Sequence, residues 1–149
     1  MKIDITIIQQ INPLFTKLNS LKLQDMKNIF VDESLANHLY SKFINNYKKN
    51  GQTFYSGLDD VNRKILISWL NTTYKQNLTF EQFESVFNFY LTFTNNFNLE
   101  TSIELFGKND GNNIWKLYGS MDNFSYLIKL LQTEFIAKIV DWYNKLQTQ

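Results

Sequence analysis

His38 is the one histidine in the chain, and there is no cysteine. A Ser–His–Asp hydrolase would therefore need His38 as its general base. Helical spacing puts His38 on the polar half of its helix with Lys42, Asn45 and Lys49, where nothing orients the ring. Thiolate nucleophiles, disulfides, Cys-based zinc sites and two-histidine metal motifs are excluded by the same counts.

Carboxylates are the remaining catalytic currency, and none of their spacings suits a site. Asp59 and Asp60 are adjacent, so on a helix they point about 100° apart; Asp59 is better used as a helix cap. Asn109-Asp110-Gly111 has the flavour of a calcium loop. Setting Gly111 at that loop's glycine puts Phe106 first and Leu117 last, where acids are required. Asp25-Met26-Lys27 has the acid-x-lysine spacing of some nucleases without the strand or the second acid. No glycine-rich phosphate loop is present. The expectation is a protein that is not an enzyme and uses no cofactor and no metal.

Charge placement is more informative than charge total. Fifteen basic and fourteen acidic residues give a net charge of +1, so no strong field draws the chain to nucleic acid or membrane. Within residues 76–107 the charged side chains are Glu81, Glu84, Glu100 and Glu104, all negative. Residues 1–58 carry seven lysines against four acids. The acidic stretch is also aromatic, with Phe89, Phe93, Phe97 and Phe106. Carboxylates beside surplus rings are what a docking surface for a basic protein would present. The candidate partner-binding residues are Glu81, Glu84, Asn88, Thr92, Asn95, Glu100 and Glu104. The competing explanation is that the rings are core and the glutamates only solubilise the surface.

The composition has two Ala and one Arg and is rich in Asn, Ile and Lys, a bias that fits codons from an AT-rich genome. Together these features point to a non-catalytic protein that neutralises or regulates a protein partner, in the manner of an immunity protein or a phage or mobile-element inhibitor. A basic toxin or nuclease is the kind of partner expected, its phosphate-binding groove filled by carboxylates. The alternative is a nucleic-acid-binding or replication-accessory protein using the basic helix face of Lys42, Lys48 and Lys49. Against it, the one helix pair that could form a helix-turn-helix, 59–74 with 80–96, has Glu81 and Glu84 where a reading helix needs cations or amides.

The elements that must position these residues are helices. One Pro and five Gly leave few breakers. The spacing predicts a short element over 3–11 and a helix over 13–22, with Asn12-Pro13 as cap and first position; a strand over 3–8 is the rival. A short helix over 23–30 follows. Asp32 caps a helix over 33–49, stopped by Asn50-Gly51. Residues 50–58 read as a loop. Asp59 caps a helix to 74 with Val61, Ile65, Leu66, Trp69 and Leu70 inward. Thr79 and Gln82 form a capping box for a helix over 80–96. Its apolar arc spans about 200°, more than one contact face requires. A short helix over 99–106 ends at Gly107, and 108–112 reads as a turn. Asp122 caps a long helix to 147. The chain is expected to be a single all-α domain, a compact helical bundle of about five to seven helices.

The first ten residues are interrupted by Asp4, Gln9 and Gln10, too early for a signal peptide. No stretch approaches the roughly 20 apolar residues of a membrane span. A cytoplasmic protein is expected. The glycosylation patterns at Asn71, Asn77 and Asn123 are chance matches in an Asn-rich chain.

Overall fold

The computed structural model describes residues 2–148. Among them the regular structure is helical throughout, with ten helices and no strand. The all-α expectation holds, and the count of five to seven does not. The extra helices come from breaks and starts that hydrophobic spacing does not mark. The helices cluster into two compact units, among the described residues one of 2–12 with 84–148 and one of 13–83. The changeovers fall inside helix α1 (Ile5–Leu18) and helix α6 (Phe80–Asn96).

α1 runs through Pro13, where two elements were expected. Pro13 faces solvent, so the acceptor it leaves without an amide lies where water can serve it. The burial of Ile8, Ile11, Leu14, Phe15 and Leu18 outweighs the proline penalty and rules out the strand over 3–8.

In the unit of residues 13–83, α2 (Leu23–Ile29) leads to α3 (Glu33–Asn45), capped by Asp32 through the Leu35 amide at 3.1 Å. α3 stops four residues before the expected 49. Lys48 and Lys49 adopt left-handed φ of 51° and 59°, and the Lys49 amide turns back to the Phe43 carbonyl at 2.9 Å. Residues expected as a loop form α4 (Gly51–Ser56). Asn50 is its N-cap, not a stop, accepting from the Thr53 amide at 3.0 Å. Gly51 sits so close to α1 that a Cβ there would stand 2.5 Å from the Leu18 Cβ. The one arginine closes the other end of α4: Arg63 donates to the carbonyls of Tyr55 at 3.1 Å and Ser56 at 3.2 Å, and its guanidinium lies over the Tyr55 ring.

Arg63 belongs to α5 (Asp60–Tyr74), capped by Asp59 as expected. Its inward face is rotated by roughly 100° from the expected one: Leu66, Ile67 and Leu70 are buried, while Val61 is 67% and Ile65 39% exposed. Asn71 holds the connection to α6 by donating to the Leu78 carbonyl at 2.8 Å and accepting from its amide at 3.0 Å. The Thr79–Gln82 capping box forms in both directions, at 2.9 and 3.1 Å.

The other unit holds α6 from Glu84 onward, then α7 (Leu99–Phe106), α8 (Lys108–Ser120), α9 (Asn123–Leu130) and α10 (Ile136–Gln147). The expected turn at 108–112 is the first turn of α8. Its helix signal is masked by Gly111, Gly119 and three asparagines, all weak helix formers. Gly111 allows α8 to lie on α7, where Ser102 donates to the Gly111 carbonyl at 2.7 Å. The expected long helix 122–147 is two helices. Thr133 breaks it: its hydroxyl donates to the Leu130 carbonyl at 2.6 Å and accepts from the Phe135 amide at 3.2 Å.

Candidate functional site

The side chains proposed for partner binding stand on α6 and α7. Glu81, Asn88, Asn95, Glu100 and Glu104 are exposed; Glu84 and Thr92 are half-buried. Glu81 belongs to the unit of residues 13–83 and the other six to the second unit. Glu100 and Glu104 are one turn apart on α7, a like-charge spacing that costs an isolated helix a few tenths of a kcal/mol. Among the described residues, Glu81, Glu100 and Glu104 make no ion pair; lysines are instead paired with Glu33 at 3.6 Å and Asp141 at 3.0 Å.

The aromatic half of the expected surface is corrected. Phe89 and Phe93 are fully buried, and Phe97 and Phe106 are 7% and 6% exposed. They pack on one another and on rings from later helices. Phe93 stacks on Phe97 at 4.6 Å, Phe89 meets Tyr143 edge-on at 5.0 Å, and Phe106 meets Phe135 at 4.8 Å. The wide apolar arc of α6 is consumed by neighbouring helices, as close packing demands. What remains outward is a strip of carboxylates and amides.

The grooves of this unit include two among the described residues. One, of about 240 Å³, is lined by Ile3, Ser85, Asn88, Thr92, Tyr143 and Gln147. It brings Asn88 and Thr92 together in an uncharged setting. The other, of about 300 Å³, lies between α7 and α10 and is lined by Glu104, Leu105, Lys138, Asp141, Trp142 and Lys145. Glu100 and Asn95 line neither. Lys138 and Trp142 were not among the candidate residues. Spacing placed Trp142 on the inner stripe of one long helix, and only the break at Thr133 and the packing of α10 on α7 bring it beside Glu104. No local signal in the sequence joins positions so far apart.

The remaining chemistry is sparse. His38 is exposed on α3. Lys48 and Lys49 lie beyond the end of α3, so the expected basic helix face is not continuous. Among the described residues no cluster of three or more His, Asp or Glu is placed to hold a metal ion. No helix among them is long and apolar enough to cross a membrane. Burial raises the phenols of Tyr90, Tyr118, Tyr126 and Tyr143, with Tyr118 pushed up to about 12 by burial and by the Asp122 carboxylate. Raised phenols stay protonated at neutral pH and supply no base. No protein-family model, no curated protein and no solved structure matches this chain.

Proposed function

We propose that this protein is a non-catalytic binding protein that neutralises or regulates a basic protein partner through the outward strip of α6 and α7. A toxin or nuclease with a cationic groove is the kind of partner it suits, in the manner of an immunity protein or a phage-encoded inhibitor. The observation that carries the reading is the segregation of charge: residues 76–107 hold four glutamates and no other charged side chain. Three of these are exposed and make no ion pair among the described residues. Such an uncompensated field speeds encounter with a cationic surface and confers salt dependence on the association rate. The burial of the phenylalanines limits the surface to charge and amide contacts, so specificity must come from geometry around the carboxylates.

The test is charge reversal read against a captured partner. Tagged wild-type protein should retain a basic protein from native cells at low salt, and raised salt should release it. Glu100→Lys with Glu104→Lys should slow association by about tenfold or more. Glu81→Lys, in the other unit, is a separate arm expected to act more weakly. Undiminished retention by the Glu100/Glu104 reversal, or a salt-independent association rate, would overturn the reading.

A further inference from the structure

Gln52 is the one amide side chain sealed inside the unit of residues 13–83. It has no exposed surface, and the other buried side chains of that unit are apolar or aromatic. Neither its Oε1 nor its Nε2 meets a hydrogen-bond partner among the described residues. A carboxamide carries two donor hydrogens and two acceptor lone pairs. Burying such a group with nothing to bond costs a large share of a domain's net stability. α4 cannot turn it outward, because the helix is fastened along its length. The Gly51 amide donates to the Asn19 side-chain oxygen at 2.6 Å. Phe54 meets Phe43 at 5.5 Å and Tyr55 meets Phe15 at 5.3 Å, both edge to face. Arg63 holds the carbonyls at the far end.

We propose that Gln52 anchors an internal hydration site, in which about one or two enclosed water molecules bridge its carboxamide to neighbouring polar groups. The site does not depend on the protein-binding reading above. Three observations select water as the occupant. The amide is neutral and needs a donor and an acceptor at once, and water supplies both. No Asp, Glu, Lys, Arg or His of this unit is buried, so an ion would find no countercharge there. The amide has no solvent-accessible surface, so its ligand must be small enough to enter through brief local opening of the fold. Tyr55 follows one helical turn on, and its hydroxyl is also shut off from solvent. Residues three apart share a helix face. The side of α4 that carries the amide therefore carries a second group able to donate and accept.

The probe is water itself, observed by NMR on the full chain. The Gln52 side-chain amide protons, assigned through bonds in the wild-type protein, should give cross-peaks to water. These should have opposite signs in NOE and ROE spectra, the mark of a long-lived contact and not of proton exchange. Gln52→Met keeps the length and bulk of the side chain and removes its polar atoms. That variant should reduce the amplitude of the solvent's magnetic relaxation dispersion by the share of about one or two long-lived waters. Its folding equilibrium constant should fall about fivefold, because hydrogen bonds to the water are lost. If the variant does not fold, the wild-type spectra decide alone. A Gln52 amide without water cross-peaks would overturn the site. In that case a Met variant with a folding constant raised tenfold or more would show an amide buried unpaired, and a lowered constant would show an amide bonded directly to the protein. Equal dispersion amplitudes in wild type and variant would likewise overturn it.

Discussion

The side-chain amide of Asn144 on α10 pairs with both backbone groups of Ile3, accepting from its amide at 2.8 Å and donating to its carbonyl at 3.1 Å. One side chain thus does for an N-terminal residue what a neighbouring strand would do. Ile3 is buried, so these groups cannot turn to bulk water instead. Asn144→Asp keeps one bond and destroys the other, because a carboxylate cannot donate and repels the Ile3 carbonyl. A loss of about 1–3 kcal/mol is expected. Denaturant midpoints should fall, and amide exchange should quicken first at residues 3–8. Uniform loss of protection without that local onset would contradict this role.

Two glycines in one helix carry opposite expectations. Helix propensity alone predicts that replacing either by Ala stabilises α8 by about 1 kcal/mol. Gly119 has nothing within 4 Å of a Cβ, so Gly119→Ala should realise that gain. At Gly111 a Cβ would stand 2.7 Å from the Ile103 Cα and the Ser102 carbonyl oxygen, both backbone atoms. Gly111→Ala must push α7 off α8 and should cost about 2 kcal/mol or more. Urea midpoints moving in the same direction for both variants would show that α7 and α8 do not approach this closely.

The pair also explains why parts of the architecture were legible in the sequence and parts were not. Caps are local chemistry, and Asp32, Asp59, Thr79 with Gln82, and Asp122 all act as their spacing implied. α6 likewise runs over its expected span, because its apolar residues are too dense to be anything but core. α8 was hidden because its glycine is chosen for a neighbour's backbone and not for helix propensity. The face of α5 was misplaced because Val61 and Trp69 satisfy the period as well as Ile67 does, and only packing decides. At the candidate site the carboxylates were visible as composition. Their rings were not surface residues, and Lys138 and Trp142, the groove neighbours of Glu104, are set by tertiary contact.

Left-handed lysines are a reservoir of stability. Lys75 terminates α5 with φ of 54°, and its amide closes on the Asn71 carbonyl. A Cβ in that conformation is strained, and glycine relieves it. Lys75→Gly should stabilise by about 0.5–1 kcal/mol after allowing for the looser unfolded chain. Lys75→Ala keeps the Cβ and should leave the midpoint unchanged. Equal effects of the two substitutions would place the cause in lost charge instead.

Alkaline pH should unfold the protein through its buried phenols. Tyr118 is pushed up to about 12 by burial and by Asp122, above the ordinary value of 10.0. The folded state therefore holds the phenolic proton more tightly than the unfolded chain. That contribution is fully present below pH 10 and is lost as pH rises from about 10 through 12. Tyr118→Phe removes the titration and a buried hydroxyl that has no hydrogen-bond partner among the described residues. It should be neutral or stabilising at pH 7 and should move the alkaline unfolding midpoint upward. Tyr90 is the contrast, since its hydroxyl donates to the buried Asn12 amide oxygen. Tyr90→Phe removes that bond and should cost about 1 kcal/mol at neutral pH. Phenolate absorbance and far-UV circular dichroism followed together from pH 8 to 13 provide the check. Phenolate appearing well before helix loss in every variant would mean that these hydroxyls titrate without unfolding and are less buried than their packing implies.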